Sequence, residues 1–286
     1  MIDKIKIYAP IVYLNLIDKD FSCPITDTLN LQYGHTDVSG SWAFLEGELS
    51  GLNAKTEPSG YDSISMQIRE VMIGIRTFNH NSASCSYVKR GLSTISGFEN
   101  ESWWGFDELN RSHQDDLKRH VELVLNLKDQ GIKLAFKKLS DARNASEMND
   151  IPIDLVTSLE ALWGGEKKKE KSDVFALMCM KLLSDDSVFD KIVRLIYIRN
   201  KIVHGYKPAQ LEKLGIPVGM PMPAHRESIQ QWCQLIETVL KKAAEEPTKI
   251  RDQLFIDGIS KLAITKKKDN VSSILIKKWD DEMKIC

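Results

Sequence analysis

VFDKIVRLIYIRNKIVHG, residues 188–205, is the stretch that decides how this chain is read. On a helix turning about 100° per residue, Val188, Phe189, Ile192, Val193, Leu195, Ile196, Ile198, Ile202 and Val203 form an apolar stripe so wide that only a helix buried in a bundle can use it. Arg199 falls in the middle of that stripe, with Ile192, Leu195, Ile196 and Val203 around it. A guanidinium is always charged, so burying it is costly unless a carboxylate, a phosphate or a second subunit meets it. His204 lies roughly 140° further round, at an end that Gly205 marks as the residue able to take the left-handed position after a helix. Asn200 and His204 are four apart, so they share a face and can hydrogen-bond.

A second misplaced charge lies upstream. The pattern from Ala145 to Trp163 reads as a helix closed by Gly164 and Gly165, with Pro152 requiring either a kink or a start near Ile151. Its apolar arc is made by Ile153, Val156, Leu159 and Trp163, and Glu160 falls inside it. Two helices thus each carry one charge in an apolar face, with opposite signs. The economical expectation is that Glu160 and Arg199 meet, since each alone would cost several kcal/mol.

Outward from these helices the chain has two textures. Residues 1–108 are rich in Ser, Gly, Thr and Asn with short apolar runs. Strands are expected at Ile5–Leu16 and Trp42–Leu49, separated by turn signals at Tyr33-Gly34, Ser39-Gly40 and Pro58-Ser59-Gly60. Tyr61–Phe78 fits a helical stripe through Ile64, Ile68, Val71, Met72, Ile75 and Phe78 better than strand alternation. From Ser112 long helices take over: one through Leu117, Val121, Val124, Ile132, Ala135 and Leu139, then the Glu160 helix, one from Ser172 to Leu182, the Arg199 helix, and one from Glu227 to Ala244. Gly205–Ala224, with four prolines, is an irregular excursion. The expected fold class is therefore α+β: a mixed, mainly β domain over 1–108, an all-α bundle over 112–245, and a charged helical arm over 246–286.

Composition excludes several functions. The 286 residues carry a formal charge of −1, which does not suit a protein that coats nucleic acid without specificity. The five cysteines form no CxxC pair, which points to a reduced, cytoplasmic setting rather than a disulfide framework or a zinc site. His113 and His120 are seven apart, but two ligands without a third do not make a metal site. No signal peptide or run near ~20 apolar residues is visible, so no membrane partner is expected. Trp103-Trp104 could stack on bases, but packing explains a tryptophan pair at a domain junction more simply. Lys167, Lys168, Lys169 and Lys171 form a basic loop beside the Glu160 helix, and more lysines lie between Lys261 and Trp279. Such lysines can follow a phosphate backbone, although solvation alone accounts for most lysine-rich loops.

The runs IDLVTSLEALWGG (Ile153–Gly165) and YIRNKIVHG (Tyr197–Gly205) resemble the Apea-like branch of the HEPN domains over roughly residues 112–244. The resemblance implies an all-helical bundle of the kind found in prokaryotic toxin and antiphage defence systems. It implies a metal-independent endoribonuclease without cofactor, acting as a homodimer or a higher even oligomer in which two Arg-x4-His motifs share one cleft. Carried over by position, Arg199 and His204 are the catalytic pair, Asn200 is a polar helper and Glu160 positions the arginine. Lys201, within the motif, joins the four loop lysines as an RNA contact.

That chemistry is coherent on its own terms. Cleaving RNA without a metal needs a base for the ribose 2′-hydroxyl, an acid for the leaving oxygen and a cation for the charge growing on phosphorus. A histidine serves as base or acid near neutral pH, and an arginine grips phosphoryl oxygens. The products would be a 2′,3′-cyclic phosphate and a 5′-hydroxyl. The expected partner is RNA, with tRNA one candidate. An antitoxin or a phage-derived trigger could act through the N-terminal domain. The alternative, from another class, is a non-catalytic scaffold or nucleotide-binding module of the same fold.

Overall fold

A computed structural model describes residues 5–12, 14–34, 43–49, 59–78, 84–85, 87–90, 93–96, 107–145, 147, 149–163, 172–205 and 223–245. The fold is α+β, and the chain divides into two compact units: Met1–Lys128 with Arg143–Ser146, and Asp129–Ala142 with Glu147–Cys286.

The first unit is a sheet with two helices packed on it. Its strands are β1 (Ile5–Val12), β2 (Leu14–Leu16), β3 (Ser22–Pro24), β4 (Leu29–Tyr33), β5 (Ala43–Leu49), β6 (Ser84–Cys85), β7 (Tyr87–Arg90), β8 (Ser93–Ser96) and β9 (Asp107–Leu109). Among the described residues, seven strands make one antiparallel sheet in the order β3-β4-β5-β1-β7-β8, with β6 also on β1. β2 and β9 form a separate parallel pair. Alternation assigns the faces: Ile7, Ala9 and Ile11 of β1 and Ala43 and Leu45 of β5 are buried, whereas Lys6 and Glu46 are exposed. The buried face meets Ile68, Val71, Met72 and Ile75 of α1 (Ser59–Arg76) and Leu117 and Val121 of α2 (Gln114–Leu125) in one core.

Gly47 of β5 shows how tightly this sheet is built. A Cβ there would lie 1.8 Å from the Thr28 carbonyl oxygen, the same oxygen that accepts from the Glu48 N–H at 3.0 Å. Only glycine lets the two backbones approach so closely.

The second unit is helical: α3 (Gln130–Arg143), α4 (Asp150–Trp163), α5 (Ser172–Leu183), α6 (Ser187–Val203) and α7 (Pro223–Glu245). α6 packs on α4, α5 and α7, and α7 also packs on α4 and α5. The core draws on Phe136, Leu155, Leu159, Phe175, Cys179, Ile192, Leu195, Ile198, Ile236 and Leu240, each essentially inaccessible. Ser158 Oγ donates to the Ala135 carbonyl at 2.8 Å, and Lys138 of α3 bonds Asp154 of α4 at 3.0 Å, so α3 and α4 are tied by polar bonds as well.

Two expectations change. The segment from Leu117 to Leu139 is two helices, because the chain leaves α2 at Asn126 and a new helix begins at Gln130, with Asp129 Oδ1 accepting from Ile132 N–H at 3.0 Å. A bundle beginning at Ser112 would include α2, yet α2 belongs to the unit of the sheet and α1. The texture change at Ser112 marks where the run of successive helices begins, not where a unit begins. Of the two alternatives for Pro152, the start near Ile151 holds: α4 begins at Asp150, so Pro152 sits in its first turn, where no N–H is missed. The Lys167–Lys171 loop, Trp103-Trp104, the excursion after Gly205 and the arm over 246–286 lie outside the described residues.

Candidate functional site

Arg199 and Glu160 meet as expected, but at the edge of the helical core rather than within it. Arg199 Nη2 stands 3.5 Å from Glu160 Oε1, with the two side chains 27% and 30% exposed. The stripe on α6 is buried from Val188 to Ile198, apart from a half-buried Phe189. It then emerges: Ile202 is half-buried and Val203 is 54% exposed. The last turn of α6 thus rises out of the core and takes Arg199 to its rim.

The arginine is held on two sides. Nη1 donates to Asn200 Oδ1 at 3.1 Å, while Glu160 takes Nη2. Nε is buried without a hydrogen-bond partner. Of the five guanidinium N–H donors, only two are engaged in these contacts. A buried unpaired donor costs roughly 1–3 kcal/mol, so the side chain is positioned but not satisfied. The buried Nε is closed to a ligand, but the remaining Nη hydrogens, on a side chain 27% exposed, are donors that an oxyanion can take.

His204 follows at the C-cap. Its N–H reaches the Asn200 carbonyl at 3.0 Å, and Gly205, at φ +75°, takes the left-handed conformation that closes the helix. The imidazole is exposed and has no side-chain hydrogen bond among the described residues. Asn200 and His204 are joined through the helix backbone, and the Asn200 carboxamide oxygen accepts from Arg199.

No family model, curated protein or solved structure matches the chain. The site is therefore read from its own geometry.

Lys201 lies over the Tyr197 ring, 4.8 Å from its centroid, on a different face of α6 from Arg199. His113 and His120 have structural partners. His113 Nδ1 accepts from Asn110 N–H at 3.2 Å as half of a capping box, and His120 Nε2 lies 2.9 Å from Thr77 Oγ1, buried between α1 and α2. Cys179 is enclosed in the helical core and burial pushes its thiol up to about 12, so it is a packing residue and not a nucleophile. The sequence reading did not find a groove between α6 and α7 that Lys191 and Arg194 border. Its signal was two basic residues three apart on the exposed face of α6, easily passed over as a solvated surface.

Proposed function

We propose that the helical unit is a metal-independent endoribonuclease of the HEPN type, with His204 moving protons and Arg199 holding the phosphoryl oxygens. The observation that supports it most is the half-satisfied guanidinium of Arg199, fixed by Glu160 and Asn200 and still carrying free donors, one turn before an exposed histidine. Arg199 and His204 sit about 140° apart and about 7.5 Å along one helix, so a single copy does not aim both at one phosphate. Two copies related by a two-fold axis bring the arginine of one toward the histidine of the other, and the exposed Val203 beside His204 suits such contact. Two histidines in one cleft serve both proton transfers: one takes the 2′-hydroxyl proton, the other delivers a proton to the departing 5′-oxygen. Arg199 offsets the negative charge that grows on the phosphoryl oxygens.

The deciding experiment incubates purified protein with an RNA pool in EDTA. Wild-type protein is expected to cut and leave 2′,3′-cyclic phosphate ends, and His204→Ala and Arg199→Ala are expected to be inert. A wild type that cuts no RNA, or mutants that cut equally well, would leave the helical unit as a scaffold.

A further inference from the structure

The groove between α6 and α7 has a volume of about 580 Å³, within the roughly 300–1,000 Å³ typical of ligand sites. Lys191 and Arg194 stand on one side, Gln231, Gln234 and Thr238 on the other, and Val188, Trp232 and Leu235 supply apolar lining. Cations face hydrogen-bonding side chains across an apolar floor. This combination matches a nucleotide unit, which has an anionic phosphate, a flat apolar base and a polar base edge.

On the helical projection the basic positions of α6 trend toward His204, although the groove ends at Arg194 and the intervening Tyr197 and Ile198 are buried. Lys191, Arg194 and Lys201 fall within an arc of about 80° on α6, and His204 lies about 60° beyond Lys201 in the same sense. From Lys191 to His204 the helix rises about 20 Å. The acids lie at the opposite end: Asp185, which also borders the groove, accepts the Ser187 N–H at 2.9 Å, and Asp190 precedes Lys191.

We infer that the α6–α7 groove is a short track for single-stranded RNA, with Lys191 and Arg194 on neighbouring phosphates and the groove receiving an unpaired base. The inference rests on the ribonuclease reading of the His204 end and adds to it the substrate class. A duplex is a poor fit, because its bases are stacked inside and only its backbone could reach the groove.

The test measures binding apart from cleavage, so that failure of either reading shows separately. Full-length His204→Ala protein is titrated against a fluorescent single-stranded 12-nucleotide RNA and against a duplex of equal length, by anisotropy at several salt concentrations. Adding Lys191→Ala and Arg194→Ala together is expected to weaken single-strand binding at least tenfold and to flatten the salt dependence by about 1.4 in log–log slope, two lost phosphate contacts. Gln234→Ala is expected to weaken binding a few fold with an unchanged slope. Lys137→Ala with Lys181→Ala, the same charge removed from α3 and α5, is expected to stay within twofold. The track is overturned by absence of single-strand binding, by equal affinity of the Lys191/Arg194 variant, by an equal loss in the Lys137/Lys181 control, or by a duplex that binds as tightly and with the same dependence on Lys191 and Arg194.

Discussion

Glu160 reaches Arg199 from the neighbouring helix at 3.5 Å, and each side chain keeps more than a quarter of its surface open to solvent. At that exposure the pair contributes only about 0–1 kcal/mol to stability. Its effect is on orientation, since Glu160 and Asn200 together fix the plane of the guanidinium. Glu160→Gln keeps the shape and removes the charge. The expected outcome is a thermal midpoint close to wild type with RNA cleavage reduced about 10- to 100-fold, as for loss of a group that orients a catalytic one. Unchanged cleavage would mean that Glu160 acts only as a surface partner.

Val203 tests the two-copy site. Its 54% exposure beside His204 leaves an apolar side chain in water unless another surface covers it. Val203→Lys places a charge at that point without touching the core. Sedimentation velocity is expected to show a shift from dimer to monomer, with cleavage falling in step and the melting profile of the unit kept. A monomeric wild type that cleaves would reject the shared cleft.

Much of this was legible in the sequence because helical periodicity is a strong signal over long windows. The opposite charges at Glu160 and Arg199 could be matched from two helical projections alone. Depth could not: projection places Arg199 in the stripe, but only packing shows that the last turn of α6 leaves the core. Nor did periodicity separate α2 from α3, since their apolar positions stay nearly in phase across Asn126–Asp129. Short strands such as Ser22–Pro24 and Ser84–Cys85 give two or three residues of alternation, too few to read. The groove beside Lys191 and Arg194 joins residues some forty apart in sequence, and no spacing rule reaches that far.

Gly47 should tolerate no side chain. A methyl group there meets the Thr28 carbonyl at 1.8 Å, and backbone cannot yield as a flexible side chain does. Gly47→Ala is expected to destabilise the first unit by roughly 2–4 kcal/mol, in the range of overpacked cores. Limited proteolysis with mass mapping checks it: cleavage should appear first in β4 and β5, with the helical unit still protected.

Lys138 gives a prediction whose sign depends on pH. Its ammonium bonds Asp141 at 3.1 Å and Asp154 at 3.0 Å. Burial alone would lower its pKa, but those bonds outweigh burial and hold it above the ordinary value. Asp154 is raised chiefly by burial, with Lys138 pulling it back down. A carboxyl whose folded pKa is raised favours the fold in acid and loses that contribution as pH rises through the folded value. Removing Lys138 takes away the restraint, raises Asp154 further and leaves a half-buried carboxylate without its cation at neutral pH. Lys138→Ala should therefore cost less in acid, where Asp154 takes up a proton, than at pH 8, where the cost should be about 1–2 kcal/mol. In the wild type the lysine's own contribution should persist to about its ordinary value of 10.5 and be lost only above it. Thermal midpoints across pH 4–8 provide the check, and adding Asp154→Asn to Lys138→Ala should remove most of the pH dependence, because the group that titrates is gone. An equal deficit at both ends of the range would show that Lys138 acts through packing of its aliphatic stem rather than through its charge.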